Sequence, residues 1–203
     1  MIVLAAFIGV VSLISNITSI AQLSGQADAF LAVRFTVSKI VNSGAVWAGM
    51  LVLAGWLVRR PVHAALAGLV AGMVALVVHY GLGQVLGLNE FGSAGWEIWA
   101  ANRQWFLAAL IFGPPLGLVG SVARRANRWG LVARLVVPVA AGVEPFLLGM
   151  FTQPDFLPAP TLISSNVTGV VLVIGGLVGA VLVIRGYRRA RSTKPEPVPV
   201  AGP

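Results

Sequence analysis

Residues 166–184 have the sequence NVTGVVLVIGGLVGAVLVI, and residues 185–194 have the sequence RGYRRARSTK. The first stretch contains no charged side chain, whereas the second carries five basic ones. A run of about 20 apolar residues lets one helix cross the hydrocarbon layer of a bilayer, which is about 30 Å thick. The junction therefore predicts a membrane-spanning helix that ends at an arginine-rich interface.

The whole chain shares the apolar character of this stretch. Of its 203 residues, 58% are hydrophobic and 10% are charged, and there is no cysteine. Soluble domains carry about 25% charged residues, because a surface in contact with water needs them. The composition therefore excludes an ordinary soluble enzyme, a disordered chain and a secreted disulfide scaffold. It predicts an integral membrane protein.

Five further runs have a similar length and apolar character, which gives six predicted spanning helices. Their approximate bounds are 2–23, 40–58, 61–80, 105–123, 131–151 and 166–184. Backbone amides in lipid must be paired, which leaves only helices or closed barrels. Barrel strands alternate apolar and polar residues over about ten positions, whereas these runs are continuously apolar. We therefore expect an all-α, polytopic transmembrane helix bundle in residues 1–190.

The basic residues are distributed unevenly between the two ends of this predicted bundle. Eleven of the 14 fall on the side that holds the N-terminus. They are Arg59, Arg60, Arg124, Arg125, Arg128, Arg134, Arg185, Arg188, Arg189, Arg191 and Lys194. Because cytoplasmic loops are enriched in Lys and Arg, both termini are predicted to be cytoplasmic. Four prolines and few apolar residues predict a disordered tail over residues 191–203.

The first run has a second interpretation, as a cleaved signal peptide. The sequence Ala27-Asp28-Ala29 resembles a small-x-small cleavage site. However, no Lys or Arg precedes the apolar core, and a signal peptide begins with positive charge. We therefore favour a retained helix. Cleavage would leave five helices and would not change the orientation of the rest.

Glycines recur at four-residue spacing in three of the predicted helices. The pairs are Gly68 and Gly72, Gly113 and Gly117, and Gly175 and Gly179. This spacing puts both members of a pair on one helix face, where the missing side chains let two backbones approach closely. The pattern predicts a compact bundle, or faces through which the protein contacts a membrane partner or a second copy.

Glu144 is an acidic residue near the middle of the fifth predicted span, and Pro145 follows it. A proline inside a helix removes one amide donor and leaves a carbonyl one turn earlier without its partner. One interpretation is a structural, protonated carboxyl that donates a hydrogen bond to a neighbouring helix, since burial favours the neutral form. The other is a role in transport or proton transfer, since ionisable groups in membranes are costly and often functional. The structural interpretation is favoured.

Other polar residues are predicted to lie in the outer half of the bundle, with Glu144 beneath them. The first helix carries a polar stripe at three- and four-residue steps, formed by Ser12, Ser15, Asn16, Ser19 and Gln22. Packing between helices is the commoner role of such a stripe. The alternative hypothesis is an outward-facing polar pocket with Glu144 at its floor. Its candidate lining residues are Asn16, Ser19, Asn42, His79 and Asn166.

Motifs for catalysis and cofactor binding are absent from the sequence. There is no G-x-S-x-G element, Walker loop or dinucleotide fingerprint. With no cysteine and two histidines, a closed metal site is not expected. We therefore predict no catalytic residue, no cofactor and no metal. The basic clusters lie at the ends of apolar runs and include few aromatic residues, so the expected partner is the lipid bilayer and not a nucleic acid.

Several short segments resemble a family of small multi-pass membrane proteins of actinobacteria. They are residues 42–47 (NSGAVW), Tyr80, Gly113-Pro114, Arg124-Arg125 and Glu144. The resemblance extends over about residues 1–190. It implies a location in the plasma membrane and does not imply an activity.

Two functional hypotheses remain open from the sequence. The favoured one is a structural or interaction protein, such as a subunit that packs against a partner through its glycine faces. The alternative is a small permease or proton-coupled carrier that uses Glu144 and the outward polar pocket.

Overall fold

The computed structural model describes residues 1–17, 28–87 and 95–192, and eight helices lie in these ranges. They are α1 (Ile2–Asn16), α2 (Asp28–Val41), α3 (Gly44–Trp56), α4 (Pro61–Val85), α5 (Trp96–Ala101), α6 (Arg103–Ala123), α7 (Arg128–Leu147) and α8 (Ala159–Ser192). Five segments are long and apolar enough to cross a membrane. They are α4, α6, α7, α8 and the segment Asp28–Trp56, which contains α2 and α3. The prediction of a transmembrane helical bundle is confirmed.

Most helices are longer than the apolar runs that predicted them. Helix α8 has 34 residues, or about 51 Å, and includes the basic residues that follow its apolar run. Hydropathy marks only the part of a helix that suits lipid, and arginines near a C-terminus favour continuation of the helix. Helices α1 and α7 are shorter than their runs: α1 has 15 residues, and α7 has 20 and ends at Leu147, before the predicted end at residue 151. Residues 18–23 of the span predicted for α1, and residues 193–203 of the predicted tail, lie outside the described ranges.

The second predicted span is one part of a longer, interrupted segment. The apolar run predicts a helix from about residue 40, but α2 already begins at Asp28. The helix is interrupted at Asn42 and Ser43, and Ser43 has an extended backbone with φ −63° and ψ 146°. Arg34 and Lys39 lie in α2, and these charges are why hydropathy placed the start of the span too late.

Helices α3, α4 and α6 pack against one another at the centre of the bundle. A Cβ atom on Gly117 of α6 would overlap the carbonyl oxygen of Ala64 in α4. A Cβ atom on Gly120 would overlap the carbonyl oxygen of Val52 in α3. The backbones therefore approach as closely as glycine permits, which confirms the close packing predicted at the glycines of α6.

Helices α7 and α8 also pack through glycine, but only one member of the predicted pair takes part: a Cβ atom on Gly179 would lie 3.4 Å from the Cβ and Cγ atoms of Pro138. A Cβ atom on Gly176 would lie 2.5 Å from the carbonyl oxygen of Pro138 and 2.7 Å from the backbone nitrogen of Gly142. A Cβ atom on Gly175 would meet no atom within 4 Å. The prediction that Gly175 contacts a neighbouring helix is wrong, because α8 turns the adjacent glycine toward α7.

Three basic segments meet at one end of the bundle, here called the arginine-rich end: residues 57–60, 124–134 and 185–192. The Arg124 guanidinium donates to the carbonyl of Trp56 at 2.8 Å, which ties the end of α6 to the end of α3. Arg134 donates to the carbonyls of Ala123 and Arg125 at 2.6 and 3.2 Å. These bonds satisfy carbonyls that the end of α6 leaves without an intrahelical donor. The basic residues that the sequence assigns to one side of the membrane therefore also lie together in the fold.

Candidate functional site

The carboxylate of Glu144 binds the N-terminus of α3. Its Oε1 accepts from the backbone N–H of Gly44 at 2.7 Å, and its Oε2 accepts from that of Ala45 at 2.9 Å. Glu144 therefore accepts hydrogen bonds from the neighbouring helix and does not donate one as predicted. Helix α7 ends at Leu147, so Glu144 lies in its last turn and not near the helix centre as predicted. One side chain thus pairs two of the N–H groups that a helix start leaves free, and places a negative charge at the positive end of the helix dipole.

The other N–H groups around the helix break also have acceptors. The Ser43 hydroxyl accepts from the N–H of Val46 at 3.2 Å, and the carbonyl of Ser43 accepts from the N–H of Trp47. The N–H groups of Asn42 and Ser43 donate back to carbonyls of α2. Every backbone donor from Asn42 to Trp47 is therefore paired, as a break within a spanning segment requires.

A polar network joins α1 to the end of α2. The Ser12 hydroxyl, which is fully buried, donates to Oδ1 of Asn42. The Asn42 amide donates to the carbonyl of Ser38 at 2.9 Å and to Oδ1 of Asn16 at 3.3 Å. The Ser38 hydroxyl also donates to Asn16. Ser12 and Asn16 of the polar stripe therefore face the helix break, whereas the hydroxyl of Ser15 donates to the carbonyl of Ser12 within α1.

Lys39 connects α2 to α8. Its ammonium donates to the hydroxyls of Ser164 at 2.8 Å and Ser165 at 2.6 Å, and to the carbonyl of Thr161 at 3.2 Å. Both serines are buried. All three donors of the ammonium are therefore paired with neutral acceptors. The sequence prediction missed this contact because Lys39 directly precedes the apolar run; the adjacent hydroxyls of Ser164 and Ser165 were the available signal.

His79 contacts a different part of the bundle. Its ring lies near the backbone of Gly9 in α1 and packs edge-on against Tyr80 at 4.7 Å between ring centres. Its Nδ1 is buried, and no hydrogen-bond partner for it lies in the part of the chain that the structure describes. His79 thus helps to join α4 to α1 and is not hydrogen-bonded to Glu144.

The structure brings together part of the predicted pocket lining. Asn16 and Asn42 share one hydrogen-bonded network, and Asn42 lies two residues before the amide that binds Glu144. Asn166 is exposed on α8, and no hydrogen bond to this network is found within the described residues. Ser19 lies outside the described ranges. The site is therefore a capped helix break, here defined as Ser12, Asn16, Ser38, Lys39, Asn42, Ser43 and Glu144.

The chemistry that this site permits follows from its partners. The Glu144 carboxylate already accepts two backbone donors, and the Lys39 ammonium donates to three acceptors. No group of three or more His, Asp or Glu side chains suited to a metal ion lies within the described ranges. The arrangement holds two half-helices and their neighbours in place, and one of its links is an ionisable carboxylate.

Comparisons with known proteins found no similar protein. No protein-family model, no curated protein and no solved structure matches the chain. The resemblance to actinobacterial membrane proteins remains a prediction.

Proposed function

We propose that the chain is a multi-pass protein of the plasma membrane that acts as a structural or interaction bundle, with six crossings and both termini in the cytoplasm. Five segments of sufficient length and apolarity support the membrane location, and α1 would begin the first crossing. The arginine-rich end supports the orientation, because basic residues are retained on the cytoplasmic side.

The orientation makes a direct prediction for reporter fusions. An alkaline phosphatase domain fused after Pro203 should be inactive, and a green fluorescent protein fused there should be fluorescent, because only the fluorescent protein matures in the cytoplasm. Fusion of each reporter after Asp155, in the α7–α8 connection, is the matched control and should give the reverse pattern. Active phosphatase after Pro203 would contradict the proposed orientation.

The observation that carries the structural role is the binding of α3 by Glu144. A carboxylate that carries a proton or a cation through a transport cycle must exchange its partner. Both oxygens of Glu144 instead accept from backbone amides of the same protein, at 2.7 and 2.9 Å. Such a carboxylate stabilises a helix break that would otherwise leave two donors without acceptors.

Interaction with a membrane partner is the second element of this proposal. The glycine faces of α4 and α6 are covered by neighbouring helices of the same chain, so a partner helix cannot use them. A partner or a second copy would instead contact the face of α8 that points away from the rest of the bundle. There the position of Gly175 is open, and the side chains of Ile174 and Val178 are exposed.

One observation favours a proton-coupled carrier as the alternative. Transporters often bind ions and substrates at interrupted helices whose half-helix N-termini face anionic groups. The break before α3 has this form, and Asn16, Asn42 and Gly44 are exposed beside it. Protonation of Glu144 would turn one of its oxygens from an acceptor into a donor, which would release one backbone amide.

Proton flux in proteoliposomes separates the two candidates. The protein is reconstituted with an internal pH-sensitive dye, and a defined mixture of amino acids, sugars and short carboxylic acids is added outside. The structural role predicts that wild type, Glu144→Gln and protein-free liposomes acidify at the same rate. Faster acidification by wild type, lost in Glu144→Gln, would contradict the structural role and establish the carrier.

A further inference from the structure

An open groove lies between α7 and α8 at the arginine-rich end, away from the capped helix break. Its volume is about 650 Å³, and Arg188, Arg191 and Tyr187 form its polar rim. Leu131 and Leu135 of α7 and Ile184 of α8 form its apolar wall. An adjoining cavity of about 370 Å³ shares Tyr187 and Arg191. The groove thus combines an apolar surface with two guanidinium groups.

The two arginines of the rim have no acidic partner among the described residues. The acids in the described ranges lie near the opposite ends of the helices and are Asp28, Glu97, Glu144 and Asp155. Arg134, beside the groove, already donates to two carbonyls. Arg188 and Arg191 are exposed, and Arg191 lies 5.8 Å from the centre of the Tyr187 ring. Their positive charge is therefore available to an anion that comes from outside the chain.

We propose that this groove binds an anionic phospholipid of the surrounding bilayer. The lipid phosphate pairs with Arg188 and Arg191, since the guanidinium fork matches the geometry of phosphate oxygens. The first part of an acyl chain lies against Leu131, Leu135 and Ile184. Basic pockets between membrane helices bind anionic headgroups in this way.

Two features favour a lipid over a soluble phosphate. The apolar wall continues from the arginines along α7 and α8 toward the middle of the bundle, where a soluble anion would have nothing to contact. Trp129, in the first turn of α7, is 69% exposed, and indole side chains in such places lie at the level of the headgroups. The proposal depends on the membrane location and is independent of the structural role of Glu144.

Electron spin resonance of labelled lipids tests this site on the full chain. The protein is placed in nanodiscs of phosphatidylcholine that contain a small fraction of spin-labelled phosphatidylglycerol or spin-labelled phosphatidylcholine. For each labelled lipid we measure the fraction that is motionally restricted by the protein. The preference for phosphatidylglycerol is the excess of this fraction over that of phosphatidylcholine. The groove variant is Arg188→Gln with Arg191→Gln. The matched control is Arg59→Gln with Arg60→Gln, which removes the same charge from the same end.

We expect wild type to prefer phosphatidylglycerol, and the groove variant to reduce that preference by at least about fivefold, as loss of a basic contact near the membrane surface predicts. The control should retain most of the preference. An equal reduction in both variants would mean a diffuse surface charge and would overturn the proposal, as would a groove variant that behaves like wild type. Displacement of the labelled lipid by soluble glycerol phosphate would also overturn it.

Discussion

The Gly117→Ala protein is expected to unfold at a much lower temperature than wild type. Alanine is intrinsically the better helix former by about 1 kcal/mol, so a helix that touched only lipid would gain stability. At position 117, however, the new methyl group would overlap the carbonyl oxygen of Ala64. A backbone atom cannot move away by changing rotamer, so α4 and α6 must separate, at an expected cost of about 3 kcal/mol.

Thermal unfolding of the purified proteins in detergent, followed by circular dichroism, measures this effect. Gly175→Ala is the matched control, because it makes the same change in a helix where the Cβ would meet no atom within 4 Å. The control should be as stable as wild type or slightly more so. Equal loss of stability in the two variants would contradict the packing of α6 against α4 described above.

Removal of the Glu144 carboxylate is the second change with a large expected effect. Glu144→Ala leaves the N–H groups of Gly44 and Ala45 without acceptors, and an unpaired buried donor costs about 1–3 kcal/mol. Ala45 is buried, so no acceptor from outside the protein can replace the lost bond at its N–H. We therefore expect a total loss of about 2–4 kcal/mol, including the lost interaction with the helix dipole.

Glu144→Gln should fall between wild type and alanine in the same unfolding measurement. The amide retains one oxygen that accepts, whereas its nitrogen is a donor and cannot pair with a second N–H. Asp155→Ala is the control, since it removes an exposed carboxylate from the connection between α7 and α8. If the Glu144→Ala protein were as stable as the Asp155→Ala protein, that result would contradict the capping role.

The sequence was sufficient to predict the helical class and the close packing of α6. Apolar runs of about 20 residues leave the backbone no alternative to helix in lipid, and the glycines of α6 contact neighbours as their spacing predicts. The sequence did not show which of Gly175 and Gly176 contacts α7. That choice depends on the rotation of α8 about its own axis, which the contact with Pro138 on another helix fixes.

The site was predictable only in part, for the same reason. Ser43 is the N-cap of α3, a position at which Ser is preferred, whereas the predicted span began at about residue 40. The sequence did not indicate that a second helix ends immediately before it. Glu144 was identified by its cost in a membrane, but its acceptor role requires the N-terminus of α3, 100 residues away in the chain. Contacts at such separations are set by the tertiary arrangement and leave no local pattern.

Backbone amide exchange at Gly44 and Ala45 tests the capping of the broken helix most directly. The experiment uses nuclear magnetic resonance of the full chain in detergent micelles, with wild type and Glu144→Gln compared under identical conditions. We predict that both amides are protected in wild type and that at least one exchanges much faster in the variant, while Val46, whose N–H donates to Ser43, changes less. Fast exchange of Gly44 and Ala45 in wild type, or equal protection in both proteins, would contradict the capped break.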